Sequence, residues 1–532
     1  MIRSIITVST GTLASRLLGF ARDSMLAALL GAGPVADAFL AAFQFVNIIR
    51  RLLTEGALNA ALVPAWLRLR DTEGAAAAAA FAGRVLGSVS TALVLVTVLM
   101  GLLMPAVISA LAPGFAGTDT LRLAVDDARL MLPYLAFAGP ATVMLALASA
   151  HGRFGLTAFS PLLFNIALIA VMTVLVVARQ EADVVATMLA ATVGIAGLLQ
   201  LLILVMRRRD GDAATPLRVS FDAEMRGFFA RALPAMIANS GPQLLAVTGA
   251  IIASSSPSAV SWLYFANRLI ELPLGIVGVA MGTVLVPALT RALRSGEKAA
   301  VAEAESRGLE LAVGLALPAM LGLIVLAQPI TRLLFEHGAF TATDAAATAE
   351  ILIWLALGLP AHVLVKALSP AFFAREDGMA PLLATMKSAV IAIVLAVLLG
   401  HFFGPPGIAA GLACGAWSNA ASLIRHGQAT FGFAIDAAAR RRLPRLVAGA
   451  LSMGALLWLG TRLLPGPGTS AHSLVQAAAL LLVIAAGIAS YAVFLRLFGV
   501  IGWREAVTAI RRPGKSDLKS DLKGDLKGDL HG

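Results

Sequence analysis

Long apolar runs, separated by short polar segments, set the pattern of the whole chain. Fourteen of these runs are long enough to be membrane-spanning helices, for which about 20 mainly apolar residues suffice. The predicted spans cover 3–31, 34–66, 83–112, 123–149, 158–178, 184–206, 226–254, 258–290, 308–328, 345–373, 380–402, 407–424, 446–464 and 473–500. The pattern therefore predicts an all-α polytopic membrane protein with about 14 transmembrane helices.

The basic residues between the spans are distributed unevenly over alternate connections. If the N-terminus is inside, the even-numbered connections carry arginine clusters such as 207–209 and 440–442, and the basic tail follows the last span. The opposite connections offer only Arg122, Arg129, Arg179, Arg332 and Arg462. Because cytoplasmic loops carry an excess of Lys and Arg, both termini are predicted to be cytoplasmic.

A sequence repeat links the first and second halves of the chain. LVPAWLRLR at 62–70 reappears as LVPALTRALR at 285–294, with six predicted helices between the copies. An even number of helices keeps both copies in one orientation, as in transporters built from parallel repeats. The repeat predicts two pseudo-symmetric six-helix lobes plus two extra C-terminal helices; chance similarity between apolar helices is the alternative. The predicted division is an N-lobe at 1–206, a cytoplasmic linker at 207–225, a C-lobe at 226–428, two further helices at 443–500 and a cytoplasmic, basic, low-complexity tail at 501–532.

Composition removes several classes of function. With 59% hydrophobic and 13% charged residues, the chain is not a soluble enzyme. The net charge of +11 could indicate a nucleic-acid partner, but the basic residues lie in short connections, where membrane topology explains them. The single cysteine, Cys414, excludes a disulfide framework and a cysteine metal site. No Walker-type phosphate loop occurs, so ATP is not hydrolysed by this chain, and neither a cofactor nor a metal is predicted.

The first two spans contain charges that apolar membrane helices normally exclude. They are Arg16, Arg22, Asp23, Asp37, Arg50, Arg51 and Glu55. A charge at the bilayer centre costs about 2.5–3.5 kcal/mol on insertion scales, so these side chains are expected to face a wet cavity, a partner or a ligand. Gly19 offers a place where the first helix can bend and bring Arg16 and Arg22 together. Snorkelling to the lipid headgroups is the alternative for Arg22, Asp23 and Arg50.

Helical spacing divides the charges of the second span into a stripe and a separate cation. Asp37, Gln44, Arg51 and Glu55 fall within about 40° of one another at 100° per residue. Arg51 and Glu55 are four residues apart and can pair, either at the site or as a purely structural ion pair. Arg50 has no acid one turn along the helix, so it is predicted to be the freer cation.

Two later spans repeat this use of buried charge. Arg268 lies in the middle of the eighth span, with Glu271 three residues further on. Lys366 lies in the tenth span, as a candidate cavity cation or a residue at the cytoplasmic edge. The eighth span is therefore the counterpart of the second in charge as well as in the repeated motif.

The expected cavity holds more arginines than unpaired acids. Its predicted cations are Arg16, Arg22, Arg50 and Arg268. Arginine stays protonated and presents a planar fork of donors that matches phosphate oxygens. The predicted substrate is therefore an anion, most simply a phosphate or diphosphate, whereas an exporter of cationic drugs would need carboxylates. The last two helices hold few mid-span charges and could offer an apolar surface to a lipid tail, although ordinary lipid-facing helices look the same.

An enzyme is the alternative of a different class. Membrane transferases that act on polyprenyl phosphates need clustered acids for a metal or a base. The only adjacent acid pair near a span is Asp126–Asp127, and an exposed helix start explains it more simply.

Several motifs resemble one known family. They are SRLLGFARD at 15–23, ADAF at 36–39, NIIRRLLTEGAL at 47–58, APGF at 112–115, NRLIELP at 267–273 and VKALSPAFFARED at 365–377. Over about residues 1–510 the chain is similar to the MurJ/MviN family of lipid II flippases, a branch of the multidrug/oligosaccharidyl-lipid/polysaccharide exporter superfamily.

The resemblance implies a function and a set of site residues. The implied function is transfer of undecaprenyl-pyrophosphoryl-MurNAc-pentapeptide-GlcNAc from the inner to the outer leaflet of the bacterial cytoplasmic membrane, by alternating access, for peptidoglycan synthesis. The implied partners are lipid II, membrane lipids and proteins of cell wall synthesis. The substrate-binding arginines fall on Arg16, Arg22, Arg50 and Arg268, with the tail in a groove at the last two helices. Supporting or gating residues are Asp23, Asp37, Asn47, Arg51, Glu55, Glu271 and Lys366.

Two departures from the family pattern bear on mechanism. Relatives commonly have an acid directly before the eighth-span arginine, where this chain has Asn267, so a local Asp–Arg pair is lost. Residues 233–254 contain no acid, which disfavours coupling to sodium in the seventh helix and favours the membrane potential or protons. A flippase for another undecaprenyl-linked saccharide and, less favoured, a multidrug exporter remain the alternatives.

Overall fold

Helices make up the structure almost throughout. The computed structural model describes residues 2–54, 57–206, 214, 217–220, 222–238, 241–295, 297–375, 377–433, 435–462 and 473–500, and no strand occurs among them. The helices, numbered α1 to α20 in chain order, are Ile2–Leu30, Pro34–Thr54, Ala57–Glu73, Ala75–Leu111, Asp119–Met131, Pro133–Ala150, Phe154–Ala178, Ala182–Met206, Ala223–Ala238, Gly241–Ala253, Ala259–Ala280, Val286–Ser295, Lys298–Val325, Ala327–Phe335, Ala342–Leu357, Leu359–Phe373, Met379–Phe403, Pro405–Phe431, Ala437–Thr461 and Ser473–Leu497.

The helices confirm a polytopic membrane protein. Ten of the described helical segments are long and apolar enough to cross a membrane. Their outward faces carry large apolar side chains; on α4, for example, Leu95 is 64% exposed and Leu102 is 73% exposed. Exposed apolar surface on this scale is suited to lipid contact.

Several of the predicted spans contain more than one helix; the fourth contains α5 and α6, and the tenth contains α15 and α16. The second, predicted at 34–66, comprises α2 and α3, which are separated by residues 55–56 outside the described part. The eighth, predicted at 258–290, contains a π-helical turn at Met281–Leu285 between α11 and α12. Pro287 lies just beyond this turn and has no N–H to donate to residue 283, so the regular hydrogen-bond ladder is broken there.

The chain forms two compact units. The first consists of residues 1–278 and 327–432, and the second of residues 279–326 and 433–532. The two six-helix lobes expected from the sequence stay a prediction. All residues of the candidate site described below belong to the first unit.

Within the first unit, glycines allow α17 and α18 to pack backbone to backbone. Gly407, Gly411 and Gly415 recur every four residues along α18 and so share one face. A Cβ added at Gly411 would lie 2.3 Å from the backbone nitrogen of Ala396 on α17. This small-residue spacing is a common way for membrane helices to approach closely.

Within the second unit, polar contacts join α13 to the start of α19 and to α20. Near its start, the Asp436 carboxylate caps α19 by accepting from the Ala439 N–H at 2.6 Å, and the Ser306 hydroxyl of α13 accepts the Asp436 N–H at 3.0 Å. On α20, the Tyr491 hydroxyl donates to the Gly314 carbonyl of α13 at 2.8 Å. These contacts hold the last two helices against α13.

The described part of the linker before α9 is tied to α4. The Ser88 hydroxyl and the backbone of Ser220 exchange hydrogen bonds, and Arg84 contacts the carboxylates of Asp222 and Glu224. Asp222 also accepts from the Met225 N–H at 2.8 Å and so caps α9. The Met225 N–H, the Ser220 hydroxyl and Arg84 hold the pKa of Asp222 below its ordinary value.

The cap at Asp222 should therefore fail in acid. Because the pKa of Asp222 is lowered in the folded state, its contribution to stability is present above about pH 4, the ordinary value, and is lost as the pH falls through the lowered value. We expect hydrogen-exchange protection of the Met225 amide to fall at acid pH, and Asp222→Asn to weaken it already at neutral pH. The Ala439 amide serves as control in the variant; unchanged Met225 protection in Asp222→Asn would contradict the assignment.

Candidate functional site

A buried ion pair on α1 is the centre of the candidate site. Arg22 donates to Asp23 Oδ1 from Nε at 2.9 Å and from Nη2 at 2.6 Å. Asp23 is 0% exposed and Arg22 is 8% exposed. Two neighbouring charges on an apolar helix thus satisfy each other, which reduces the cost of placing either in hydrocarbon.

A second arginine, from α11, shares the same carboxylate. Arg268 Nε lies 2.5 Å from Asp23 Oδ2, and its Nη1 donates to Glu271 Oε2 at 2.7 Å. The Tyr264 hydroxyl donates to Asp23 Oδ1 at 3.3 Å. Asp23 therefore stands between two guanidinium groups that belong to different helices. We call Arg22, Asp23, Arg268 and Glu271 the charged core.

Neutral groups of α7 and α2 surround Arg22. Its Nη1 donates to Asn165 Oδ1 at 3.2 Å, and Asn165 Nδ2 in turn donates to the Ser15 carbonyl at 3.2 Å. The guanidinium also lies 5.1 Å from the ring centroid of Phe43 and 5.9 Å from that of Phe164. Such cation–π contacts favour a positive charge without adding a negative one.

Arg50 lies near the charged core, because it contacts an aromatic ring that Arg22 also contacts. Its guanidinium lies 5.8 Å from the Phe164 ring centroid, and its Nε donates to Asn47 Oδ1 at 3.1 Å. The hydroxyl of Tyr134 also interacts with it. These three partners, Phe164, Asn47 and Tyr134, are neutral, and the role of Arg50 as the freer cation of the second span stays a prediction.

Arg16 reaches α11 at a different level from the charged core. In the described part of the chain, no hydrogen bond or ion pair engages its guanidinium, which lies directly over Gly275. One turn further along α11, Lys366 Nζ of α16 lies 3.4 Å from where a Cβ would stand at Gly278. Residues three apart on a helix are neighbours, so these two cations approach one face of α11.

Asp37 has a structural partner on α11. Its carboxylate accepts from the Ser258 N–H at 2.8 Å, the Ser261 N–H at 2.9 Å and the Ser261 hydroxyl at 2.5 Å. These donors belong to the N-terminus of α11, and Asp37 is only 2% exposed. The acid of the ADAF motif thus caps α11 and ties it to α2.

Removing this cap should destabilise the protein. Asp37→Ala leaves buried donors at Ser258 and Ser261 without an acceptor, at about 1–3 kcal/mol for each unsatisfied donor. We expect the apparent melting temperature of the purified protein to fall by several degrees. Asp183→Ala is the matched control, because Asp183 is an exposed acid in the first turn of α8. Equal melting temperatures for both variants would show that the cap contributes nothing.

Two further predicted site residues, Arg51 and Glu55, have side chains outside the described part of the chain. Arg51 itself belongs to α2, whereas Glu55 lies outside the described residues altogether. Their predicted pairing stays a prediction. Asn267 is exposed, and the acids that pair with Arg268 come instead from α1 and from the next turn of α11.

The arrangement carries an excess of positive charge. Among the described side chains, four arginines accompany the two carboxylates of the charged core, Asp23 and Glu271, which leaves two positive charges before Lys366 is counted. No group of His, Cys, Asp or Glu in the described residues is arranged to hold a metal ion. Such a site is suited to bind a dianion, and both carboxylates are already engaged by guanidinium groups.

Reasoning from the sequence missed several contributors. Tyr264, Phe43 and Phe164 are aromatic side chains in apolar spans, and nothing in the pattern separates them from ordinary packing residues. Asn165 carried a usable signal, because an amide in the middle of an apolar span needs a partner.

Comparison with known proteins identifies the family. The family profile described as lipid II flippase MurJ matches residues 26–478. A protein of Rhizobium meliloti (strain 1021) named probable lipid II flippase MurJ is 38% identical over 523 residues, covering 97% of this chain and 96% of the relative. The chain belongs to the lipid II flippase MurJ family. These matches confirm the resemblance inferred from the motifs. The family consists of transporters rather than enzymes.

Solved structures agree in fold. A structure of lipid II flippase MurJ in an inward closed conformation matches with a TM-score of 0.77 and 21% identity, covering 93% of this chain and 98% of that chain. An inward-facing multidrug resistance MATE family transporter matches with a TM-score of 0.65 and 17% identity, covering 83% and 98%. Flippases and multidrug transporters therefore share this fold, and the side chains of the site must discriminate between them.

Proposed function

We propose that this protein is a lipid II flippase that moves undecaprenyl-diphosphate-linked peptidoglycan precursor from the inner to the outer leaflet by alternating access. Arg16, Arg22, Arg50 and Arg268 bind the diphosphate. The observation that supports this most strongly is the buried Asp23 carboxylate shared by Arg22 and Arg268. It stabilises two phosphate-binding side chains and orients them inside an apolar protein.

The two arginines of the charged core have different roles. Arg22 is nearly buried, whereas the side chain of Arg268 is 20% exposed and that of Glu271 is 28% exposed. Arg268 is therefore, with Arg16 and Arg50, the first to meet an arriving diphosphate, and Arg22 reaches it while still paired with Asp23. When Arg268 leaves Asp23 to contact a phosphate oxygen, Arg22 stays paired with Asp23. The buried carboxylate is then never without a cation, which would be costly.

The lipid tail requires a separate apolar surface, and α20 supplies one. Leu481 is 65% exposed, Leu482 is 71% exposed and Ile488 is 66% exposed. We assign the groove for the polyprenyl chain to the last two helices, in agreement with the sequence-based prediction. The protein acts in the bacterial cytoplasmic membrane with both termini in the cytoplasm, because the basic connections alternate in that sense. Its driving force is the membrane potential or protons, and its partners are proteins of cell wall synthesis.

The excess of positive charge separates the candidate functions. A multidrug exporter that takes cations is disfavoured, since both acids of the charged core are held by arginines. A flippase for another undecaprenyl-linked saccharide would use the same diphosphate contacts. The saccharide groups are thus what distinguishes lipid II from that alternative, and the test must use lipid II itself.

Substitution of the core arginines tests the proposal. We expect Arg22→Ala and Arg268→Ala to abolish exposure of lipid II at the outer leaflet, measured by leaflet-resolved labelling in cells depleted of the wild-type protein. Each change removes a phosphate donor and leaves Asp23 with one cation fewer. Arg307→Ala is the control, because the Arg307 side chain is 71% exposed and pairs only with Glu303 on its own helix among the described residues.

Outcomes in the same cells distinguish the alternatives. Normal lipid II exposure in well-expressed Arg22→Ala and Arg268→Ala variants would overturn the assigned binding role. Normal exposure after depletion of the wild-type protein would favour the flippase for another saccharide.

A further inference from the structure

Two glycines lie directly beneath arginines of the opposite helix. A Cβ added at Gly19 of α1 would lie 2.6 Å from Nη2 of Arg268 on α11. A Cβ added at Gly275 of α11 would overlap the guanidinium of Arg16 on α1. Each helix thus provides one arginine and one glycine, and each arginine lies on the glycine of its partner.

The contacts define an antiparallel arrangement. Arg16 meets Gly275, Gly19 meets Arg268, and Asp23 meets Arg268 and Tyr264, so positions rise along α1 as they fall along α11. Arg268 and Gly275 are seven residues apart, or about 10.5 Å along the helix axis at 1.5 Å per residue. The two arginine–glycine contacts therefore lie about two turns apart on α11 but only three residues apart on α1, and the long arginine side chains span the difference.

A methyl group added at either glycine would displace an arginine guanidinium group and leave the opposite helix in place. The atoms nearest to each added Cβ are the far ends of flexible side chains, and no backbone atom of the opposite helix is among them. The fold can therefore accept alanine, which is favoured over glycine in helix interiors. Arg268 cannot move without disturbing its contacts with Asp23 and Glu271.

We propose that Gly19 and Gly275 are positioning residues for Arg268 and Arg16 and that they form an interlock between α1 and α11. Each glycine sets the depth at which the opposite guanidinium lies, and the pair lets α1 and α11 slide past one another only if both arginines withdraw. This inference rests on the proposed function in that the ligand of the arginines is a diphosphate. It adds two uncharged residues that set the affinity of the site.

Direct binding to the purified full-length protein tests the interlock. With undecaprenyl diphosphate as the probe, we expect Gly19→Ala and Gly275→Ala to raise Kd about tenfold or more, equivalent to about 1.4 kcal/mol, with the melting temperature retained. Gly322→Ala is the matched control, because Gly322 also lies in a helix, α13, and an added Cβ there meets nothing within 4 Å. It should bind as the wild type does.

A double-mutant cycle separates positioning from packing. In an Arg16→Ala background, Gly275→Ala should have no further effect on Kd, and Gly19→Ala should have none in an Arg268→Ala background. Additive losses would show that the glycines act through helix packing and would overturn the inference. Wild-type affinity in both glycine variants would overturn the inference and leave the proposed function standing. Failure of the wild-type protein to bind undecaprenyl diphosphate would overturn both.

Discussion

The shared carboxylate of Asp23 is the constraint on which the rest of the site depends. A guanidinium in apolar surroundings is costly unless a charge and hydrogen bonds compensate it. Asp23 is completely buried and compensates two at once, Arg22 on its own helix and Arg268 on α11. The two guanidinium groups are thus compensated and oriented before any substrate arrives. Because Arg268 also contacts Glu271, it can leave Asp23 without losing all of its negative partners.

Buried polar contacts extend from this centre to the other helices of the site. Asn165 of α7 joins Arg22 to the backbone of α1, and Phe164 brings Arg50 of α2 beside the same guanidinium. Asp37, at the other end of α2, caps α11. A displacement of α11 therefore disturbs contacts with both α1 and α2. This connectivity is what a transporter needs if binding at one place is to alter the packing of several helices.

Much of the fold was predictable, because the apolar spans are long and a charge within them is expensive. The same cost indicates that Arg16, Arg22, Arg50 and Arg268 face a cavity, a partner or a ligand rather than lipid. Contacts between these residues on different helices were not predictable, because periodicity relates only positions on one helix. The spacing therefore indicates Glu271 as a partner of Arg268, but it does not indicate the contact between Arg268 and Asp23. The cap formed by Asp37 was missed for the same reason, since its donors lie on α11. Gly19 is predictable only as a place where α1 can bend; its position under Arg268 depends on α11, which periodicity within α1 does not reveal.

An experimental structure of the full-length protein with a lipid-linked diphosphate bound would test the central claim most directly. We predict phosphate oxygens within hydrogen-bonding distance of Arg268 and Arg16, with Arg22 still paired to Asp23. A diphosphate bound elsewhere, with Arg268 still held between Asp23 and Glu271 and none of the four arginines in contact with it, would contradict the account.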